Sequence, residues 1–335
     1  MRFDDLTAMT DLPARLADLP AFDAEAAAAA QARQAELTKP PGSLGRLEEL
    51  AIFVAGWHRA VRPQIDRAQA LVFAGNHGIC ARGVNPFPQE VTAAMVANFR
   101  AGGAAINQLC AVAGAELTAV PLELDRPTAD FTEGPAMTET EALAAMEAGR
   151  TAVDPAASVL ILGEMGIGNS TTAAALACAA LGGDAQDWVG RGTGADPDTL
   201  ARKVEAVRLG VDRHGSQPPL AAIASLGGRE LAAIAGAVLA ARAERIPVIL
   251  DGFICTAAVL PLWAHDPDLL SHCLVAHRSA EPGHARMLEA IGQRPIVDLG
   301  MALGEGSGAA VALTVLRAAL ACHDGMATFA EAGIG

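Results

Sequence analysis

Short apolar runs alternate with longer helical stretches along most of this 335-residue chain. Six runs are rich in aliphatic and β-branched residues and have the length of strands. They occupy residues 70–75 (ALVFAG), 116–122 (ELTAVPL), 158–164 (SVLILGE), 246–252 (IPVILDG), 273–277 (CLVAH) and 295–300 (PIVDLG). Near-continuous apolar strands between helices are typical of a parallel sheet covered on both faces. The pattern predicts an α/β fold and leaves the strand order open.

The first 65 residues do not show this alternation. Residues 21–38 are alanine-rich and helical, and the prolines and glycines of TKPPGSLG form a turn before a second helix through LAIFVAGWHRAV. No strand pattern occurs in this part of the sequence. The first 65 residues therefore predict a helical appendage beside the sheet.

Charge and composition narrow the classes of partner. The chain is 52% hydrophobic, with a formal net charge of −14 and no cluster of basic residues. Binding to a nucleic-acid backbone requires a basic face, so nucleic acid is disfavoured as a partner. An anionic ligand must then be held by local features such as glycine-rich loops and helix amino termini.

The cysteines and the apolar segments indicate the compartment. Six cysteines lie without CxxC spacing, mostly in apolar runs, as buried free thiols do in a reducing environment. The N-terminal MRFDDLTAMTDL carries acidic residues where a signal peptide needs positive charge. The run IPVILDGFICTAAVLPLWA contains an aspartate, a glycine and two prolines, so we interpret it as a strand followed by a buried helix. We expect a soluble, cytoplasmic protein without a membrane span.

Polar and glycine-rich segments follow five of the predicted strands. They read AGNHG, GEMGIGNST, DGF, AHRS and DLGMALGEGSG. The carboxyl ends of parallel strands meet at one edge of a sheet, and open α/β sheets bind ligands in the crevice beyond that edge. We therefore expect an active site where these segments converge.

Two glycine-rich loops are candidates for binding a phosphate. GEMGIGNS is close to a P-loop, with Gly163 and Gly168 correctly spaced and Asn169 where the P-loop lysine belongs. That lysine contacts the β- and γ-phosphates, so its absence argues against a nucleoside triphosphate. A helix amino terminus suited to one phosphate monoester remains, and a tight packing turn is the alternative. The second loop, VGRGTG, precedes another helix, and Arg191 or Lys203 could add positive charge.

The segment after the first strand has weaker signals. Asn76 and His77 are candidate polar contacts, although a lone histidine is more often structural. Pro86, Phe87 and Pro88 could wall an apolar pocket. The eight histidines show no metal-binding spacing and no GxSxG motif occurs, so neither a metal site nor a serine hydrolase is supported.

Glu305 lies among Gly300, Gly304, Gly306 and Gly308, directly before an apolar helix. One interpretation is a glutamate that interacts with the dipole at the helix start. The other is a general base, because the glycines leave room for a flat ligand to approach the backbone and the carboxylate together. We favour the general base.

Several long motifs occur in order: KPPGSLGRLEELA, GVNPFPQEVTAAMVANFRAGGAAINQLC, LGEMGIGNSTTAAAL, VGRGTG, ILDGFICTAAVL, AHRSAEPGH and VDLGMALGEGSGAA. Together they resemble the nicotinate-nucleotide:dimethylbenzimidazole phosphoribosyltransferases, enzymes of cobalamin nucleotide-loop assembly, over residues 35–333. The resemblance implies transfer of the 5-phosphoribosyl group of nicotinate mononucleotide to 5,6-dimethylbenzimidazole. It also implies a homodimer that uses neither a metal nor a cofactor. The implied fold is a Rossmann-like, doubly wound, mainly parallel sheet in residues 66–309, with a small helical lobe from residues 1–65 and 310–335.

The resemblance further implies roles for individual residues. The family's catalytic glutamate falls on Glu305, and a second functional glutamate falls on Glu164. Its phosphate and ribose contacts fall on Gly166, Gly168, Asn169, Gly192, Thr193, Gly194, Lys203 and Ser279. Its benzimidazole pocket falls on Asn85, Pro86, Phe87 and Gln89, and we expect further apolar walls from Met301 and Leu303.

This chemistry needs a single base. Nicotinate leaves from a pyridinium as a neutral ring and needs no general acid, whereas the incoming benzimidazole must lose one proton. Two alternatives stay open: a phosphoribosyltransferase for another azole or a phenolic acceptor, and a non-catalytic nucleotide-binding sensor. The presence of both Glu305 and Glu164 disfavours the sensor.

Overall fold

Five of the six apolar runs form strands of a single sheet. The computed structural model describes residues 2–192 and 194–334. Neighbouring strands are all parallel and lie in the order β2-β1-β3-β4-β5. They are β1 (Ala68–Ala74), β2 (Ala115–Pro121), β3 (Val159–Met165), β4 (Val248–Leu250) and β5 (Cys273–Val275). The predicted α/β class is confirmed, and the strand order is now known.

Helices separate the strands and cover both faces of the sheet. Short 3-10 turns link some of them, at Met9–Asp11, Gly78–Arg82, Pro219–Ala221 and Pro267–Leu270. The α-helices are α1 (Leu12–Leu16), α2 (Ala24–Glu36), α3 (Arg46–His58), α4 (Glu90–Ala101), α5 (Ala105–Ala113), α6 (Glu139–Ala152), α7 (Asn169–Leu181), α8 (Ala185–Trp188), α9 (Pro197–His214), α10 (Ala222–Ser225), α11 (Arg229–Ala243), α12 (Phe253–Ala258), α13 (Leu260–His265), α14 (Pro282–Ala290) and α15 (Ser307–Gly325).

Alternate side chains of the strands enter two separate cores. Leu71 and Phe73 of β1 face the core that includes α6, α7 and α11. Ala70 and Val72 face the core that includes α3, α5 and α15. Successive residues of a strand point to opposite faces, so a strand covered on both sides must be apolar throughout. This burial explains why the strands appear in the sequence as continuous apolar runs.

The strand order reverses at β1. β2 lies on one side of β1, and β3, β4 and β5 follow on the other side. This is a doubly wound order, with a topological switch point between the carboxyl ends of β1 and β3. The crevice at that edge is the expected place for a ligand.

The sixth predicted strand, residues 295–300, is wrong. The segment runs beside β5 and forms one parallel bridge, between Val297 and His277. Pro295 has no N–H group to donate to a ladder. The three residues after Val297 are exposed, and Gly300 has a φ of 67°, which turns the chain away from the sheet. Apolar composition alone did not reveal that this segment leaves the sheet edge.

The two ends of the chain meet beside the sheet. Leu37, directly after α2, forms an antiparallel bridge with Thr328, and α15 packs against α3. α15 also contributes several alanines and leucines to the core of one sheet face. The division into a lobe of residues 1–65 and 310–335 and a domain of residues 66–309 stays a prediction.

The apolar run that begins at residue 246 lies within the fold. It forms β4, α12 and α13, which confirms the interpretation as a strand followed by buried helices. In the described ranges, no helix combines the length and the apolar character needed to cross a membrane.

Two glycines allow α6 and α11 to pack with their backbones in contact. A side chain at Gly149 would lie 1.9 Å from the carbonyl oxygen of Ala233, and one at Gly236 would lie 2.0 Å from that of Met146. Backbone atoms of packed helices cannot move aside without moving the whole helix. The close crossing of α6 and α11 therefore requires glycine at both positions.

We predict that Gly236→Ala lowers the free energy of unfolding by about 1–3 kcal/mol, because overpacking outweighs the gain in helix propensity of about 1 kcal/mol. Urea denaturation measures the change. Gly134→Ala is the matched control, since no atom lies within 4 Å of its added side chain, and it should change stability by less than about 0.5 kcal/mol. Equal stability of the two variants would show that the crossing is not tightly packed.

Candidate active site

A cleft opens at the carboxyl ends of β3, β4 and β5. It holds about 870 Å³ of space, including the solvent at its mouth, which is within the usual range for small-molecule sites. The segments that follow β1, β3, β4 and β5 all contribute to it. Its apolar walls are Val84, Pro86, Ile167, Phe253, Ile254 and Leu303.

Glu305 lies in this cleft on a loop with an unusual backbone conformation. Gly304, Glu305 and Gly306 have φ angles of 80°, 64° and 84°. The left-handed conformation costs a non-glycine residue about 1–2 kcal/mol, so the surroundings must hold this glutamate in place. A side chain at Gly163 of β3 would lie 2.5–2.6 Å from backbone atoms of Gly306 and Glu305. The loop therefore lies directly on β3.

Two of the glycines around Glu305 have a packing role that the sequence did not indicate. A side chain at Gly304 would lie 2.6 Å from Glu164 Oε1, and one at Gly308 would lie 2.0 Å from the ring of His277. A side chain at either position would therefore meet protein atoms, while Gly304 also lines the cleft. Their physical role is to let the loop turn and pack against the sheet. Glu305 itself is 8% exposed and lines the cleft.

Asp251, which the sequence interpretation did not select, anchors the loop of Glu305. It follows β4, and its carboxylate accepts hydrogen bonds from the amides of Gly306 (3.1 Å) and Ala309 (2.9 Å). It thereby caps the amino terminus of α15, whose own cap residue is a glycine without a side chain. The sequence segment DGF showed the aspartate, but its partners lie 55 and 58 residues away.

Four carboxyl groups line the cleft (Glu164, Asp251, Glu281 and Glu305), and burial raises the pKa of each. Desolvation, followed by the charge of Asp251, raises the pKa of Glu164 to about 8. Desolvation raises the pKa of Asp251 to about 7, although its hydrogen bonds from the α15 amides act against this. Desolvation also raises the pKa of Glu305. As a carboxylate, Glu305 is therefore a stronger base than a glutamate in water.

Glu164 is held by the first residue of α7. The side-chain amide of Asn169 donates to Glu164 Oε2. The turn between them includes Gly168 at a φ of 95°, where a side chain would lie 2.6 Å from Cys80 Sγ. Part of the P-loop-like pattern thus serves packing, and Asn169, where the lysine is missing, binds a carboxylate.

A buried pair supports the turn at Gly166 from behind. His77 Nε2 lies 2.6 Å from Glu230 Oε1, and His77 Nδ1 lies 3.2 Å from Thr172 Oγ1. A side chain at Gly166 would come within 3.1 Å of both His77 and Glu230. Asn76 is buried beside them, and its side-chain amide donates to a loop carbonyl 2.9 Å away. His77 does not line the cleft, which agrees with the structural interpretation of this histidine.

A buried ammonium group marks one end of the cleft. Lys203 of α9 is 2% exposed, and its Nζ donates to Ser170 Oγ (3.1 Å) and to the carbonyl oxygen of Gly190 (2.9 Å). Desolvation lowers the pKa of Lys203. A side chain at Gly192 would lie 3.1 Å from Ser170 Oγ and 3.4 Å from Lys203 Nζ, so this loop closes over the pair. An ammonium, a hydroxyl and a glycine-rich loop together suit an anion.

Ser279 is oriented by a neutral histidine. The backbone amide of Ser279 donates to His284 Nδ1 at 2.9 Å. Burial lowers the pKa of His284 to about 3, so this ring stays an acceptor at neutral pH. His277 Nε2 lies 3.7 Å from Asp251 Oδ1 at the floor of the cleft. In the described ranges, no three His, Cys, Asp or Glu residues are placed to hold a metal ion.

The structure brings most of the predicted site residues together. Those that line the cleft are Asn85, Pro86, Glu164, Gly166, Gly168, Asn169, Gly192, Lys203, Ser279, Leu303 and Glu305. Those that do not line it are Phe87, Gln89, Gly194 and Met301. Phe87 is 46% exposed, and the side chain of Gln89 donates to the carbonyl of His77. Thr193 lies outside the described residues.

The fold and the cleft define an α/β protein that binds a small ligand beyond the carboxyl ends of parallel strands. A phosphoribosyltransferase family model matches residues 19–334. The chain is 62% identical over 320 residues to the nicotinate-nucleotide–dimethylbenzimidazole phosphoribosyltransferase of Rhodobacter capsulatus, covering 95% of this chain and 96% of that one. It is 57% identical to the Ruegeria pomeroyi protein of the same name, covering 98% and 99%.

A solved structure gives the same result. The crystal structure of CobT from Thermus thermophilus matches with a TM-score of 0.87 and 44% identity, over 93% of this chain and 99% of that one. The chain therefore belongs to the nicotinate-nucleotide–dimethylbenzimidazole phosphoribosyltransferase family.

We predict that Glu164→Gln makes stability less dependent on pH. The pKa of Glu164 is raised from 4.5 to about 8 in the folded protein, so the folded state binds this proton more tightly than the unfolded chain. The resulting stability is present below pH 4.5 and is lost as pH rises to about 8. Glutamine cannot lose a proton, so the variant should gain about 1–3 kcal/mol relative to the parent between these limits.

Urea denaturation at pH 5 and pH 8 measures this difference across the pKa range of Glu164. Glu289→Gln, on the exposed face of α14, is the control and should change neither value. A Glu164→Gln variant that follows the parent at both pH values would show that Glu164 is ionised in the folded protein.

Proposed function

We propose that this chain transfers the 5-phosphoribosyl group of nicotinate mononucleotide to 5,6-dimethylbenzimidazole. The products are nicotinate and α-ribazole 5′-phosphate, and the anomeric centre inverts from β to α. The observation that carries the proposal is the buried carboxyl of Glu305, which lines the cleft on a loop packed against β3. Similarity over nearly the whole chain to proteins named for this activity supports it.

One base is sufficient for this chemistry. The C1′–N bond of the nucleotide breaks, and its electron pair returns to the pyridinium nitrogen, so nicotinate leaves without being protonated. One ring nitrogen of the benzimidazole forms the new bond to C1′. The proton on its other ring nitrogen passes to Glu305, whose raised pKa makes it a better acceptor than an exposed glutamate.

The two ends of the cleft suit the two halves of the reaction. Lys203 and Ser170 offer an ammonium and a hydroxyl to the 5′-phosphate, and charge-assisted hydrogen bonds are among the stronger ones. Pro86 and Leu303 offer apolar surface to the aromatic acceptor, in the same cleft as Glu305. An apolar pocket with one polar group is suited to orienting a flat ring.

Glu164 and Glu305 have different tasks in this proposal. With a pKa of about 8, Glu164 is mostly protonated at neutral pH and is a poor acceptor of a further proton. It can still orient a substrate by hydrogen bonding. We assign proton transfer to Glu305 and positioning to Glu164.

We also propose that the protein is a cytoplasmic homodimer. Leu299 and Leu303 are 63% and 54% exposed on the segment that leads to Glu305, and Phe87 is exposed on the opposite loop. Exposed apolar side chains beside a ligand site are typical of an interaction surface. All six cysteines are free thiols, which supports a reducing compartment. Sedimentation equilibrium tests the dimer.

The activity itself is tested by incubating the protein with nicotinate mononucleotide and a panel of bases, with the products resolved by mass. We expect nicotinate and α-ribazole 5′-phosphate, with 5,6-dimethylbenzimidazole as the preferred base. Preference for another azole or for a phenol would mean that 5,6-dimethylbenzimidazole is not the natural acceptor. Nucleotide binding without release of nicotinate would make the chain a sensor.

We predict that Glu305→Gln lowers kcat by at least about 100-fold, since general-base catalysis typically contributes about 10²–10⁴ in rate. Glutamine keeps the shape and can form hydrogen bonds, but it cannot take the proton, so both substrates should still bind. Steady-state release of nicotinate measures kcat, and Glu289→Gln is the control. Turnover of Glu305→Gln within a few-fold of the parent would place the base elsewhere, with Glu164 as the first candidate.

A further inference from the structure

A carboxylate lies in the part of the cleft that suits an anion. Glu281, directly before α14, lines the cleft together with Lys203. Lys203 donates its hydrogen bonds to Ser170 and Gly190 and not to Glu281. Glu281 Oε2 is buried without a hydrogen-bond partner among the described residues. A negative group beside a phosphate site is unfavourable unless it binds another part of the same ligand.

Neighbouring residues fix the position of the Glu281 carboxylate. A side chain at Gly190 would lie 1.7 Å from Glu281 Oε2, so the carboxylate requires glycine at position 190. The backbone amide of Glu281 donates to Ser279 Oγ at 3.3 Å, which fixes the start of α14 beside the cleft. Desolvation raises the pKa of Glu281, and the nearby charge of Lys203 and the backbone amide of Gly192 act against this. The carboxyl group is therefore fixed in position, and none of the described residues donates a hydrogen bond to its Oε2 atom.

A phosphoribosyl group has two kinds of polar surface. Its phosphate accepts hydrogen bonds, which matches Lys203 and Ser170. Its 2′- and 3′-hydroxyls donate hydrogen bonds and need acceptors, for which a carboxylate is well suited.

The other carboxyl groups of the cleft are already committed. Asp251 accepts from two amides of α15, and Glu164 accepts from Asn169. Glu305 is reserved for the proton of the aromatic acceptor in the proposed reaction. Glu281 differs from these three in that its Oε2 atom is buried without a hydrogen-bond partner among the described residues. It lines the cleft together with Lys203, at the phosphate end, where the ribose of a 5′-phosphate must also lie.

We propose that Glu281 accepts hydrogen bonds from the ribose hydroxyls and is the residue by which the site selects a ribonucleotide over a deoxyribonucleotide. The inference rests on the proposed function, because it assigns the sugar of that same substrate. A site with a buried acceptor rejects an analogue that lacks the hydroxyl, since the acceptor is then left without a donor.

The test compares kcat/KM for nicotinate mononucleotide with that for its 2′-deoxy and 3′-deoxy analogues, at a fixed concentration of 5,6-dimethylbenzimidazole. In the parent, at least one deoxy analogue should be used at least about tenfold less efficiently. Glu281→Gln should lose at least about tenfold with the ribonucleotide and less than about threefold with that analogue. Glu289→Gln, in the same helix region, should match the parent with all three nucleotides.

Three results would overturn the assignment. The first is an equal loss with all three nucleotides in Glu281→Gln, which would mean a structural role. The second is a kcat/KM for the ribonucleotide that is higher in Glu281→Gln than in the parent, which would mean that the carboxylate only repels the phosphate. The third is a parent protein whose kcat/KM is the same for both deoxy analogues and for the ribonucleotide. This result needs no variant, so it decides the matter even if Glu281→Gln fails to fold. A parent that releases no nicotinate from the ribonucleotide would contradict the proposed function instead.

Discussion

Two hydrogen bonds from the amino terminus of α15 to Asp251 hold the cleft in its shape. They measure 3.1 and 2.9 Å and join the end of β4 to the loop of Glu305. A hydrogen bond contributes about 0.5–1.5 kcal/mol, or about 1.5–3 kcal/mol when its acceptor is charged. The two bonds together therefore offset the cost of about 1–2 kcal/mol for the left-handed backbone of Glu305. Gly163 completes the anchor, because its missing side chain lets the loop lie on β3. The strained loop is thereby tied both to the end of β4 and to β3.

Burial also sets the electrostatics of the cleft. Glu164, Asp251 and Glu305 all lie away from water, and the pKa of each is raised. The neutral form of Glu164 reduces the repulsion of an anionic substrate in a protein with a net charge of −14. The positive charge of Lys203 is placed at one end, with a hydroxyl and a glycine-rich loop. Local placement of charge thus makes one end of the cleft suitable for the phosphate of the proposed substrate, although the protein is acidic.

The sequence predicted what depends on local pattern and strand burial. Strands buried on both faces are apolar throughout, so five of them were found. The segments that follow β1, β3, β4 and β5 contribute to one cleft, as expected, together with the segment after residues 295–300. Residues 295–300 have the same composition but lie at a sheet edge that the chain soon leaves. The motif at GIGNS was recognised, although Asn169 proved to bind Glu164 and not only to open a helix.

Long-range partners could not be predicted in the same way. The aspartate of DGF accepts hydrogen bonds from amides more than 50 residues later in the chain. The carboxylate of Glu281 fits against the backbone of Gly190 only because that residue has no side chain. The glycines around Glu305 were noticed for their missing side chains, but the sequence did not show that Gly304, Gly306 and Gly308 lie against Glu164, Gly163 and His277. Such roles depend on tertiary contacts, which composition and spacing do not contain.

The most direct measurement is kcat for nicotinate release by Asp251→Asn, alongside its thermal midpoint. Asparagine has one oxygen and an amide that cannot accept, so one of the two bonds to α15 is lost. We expect kcat to fall at least about tenfold while KM for the nucleotide changes little, since Glu305 is displaced and the phosphate end is untouched. An Asp251→Asn variant that folds and keeps the parental kcat would contradict the claim that this anchor places the base.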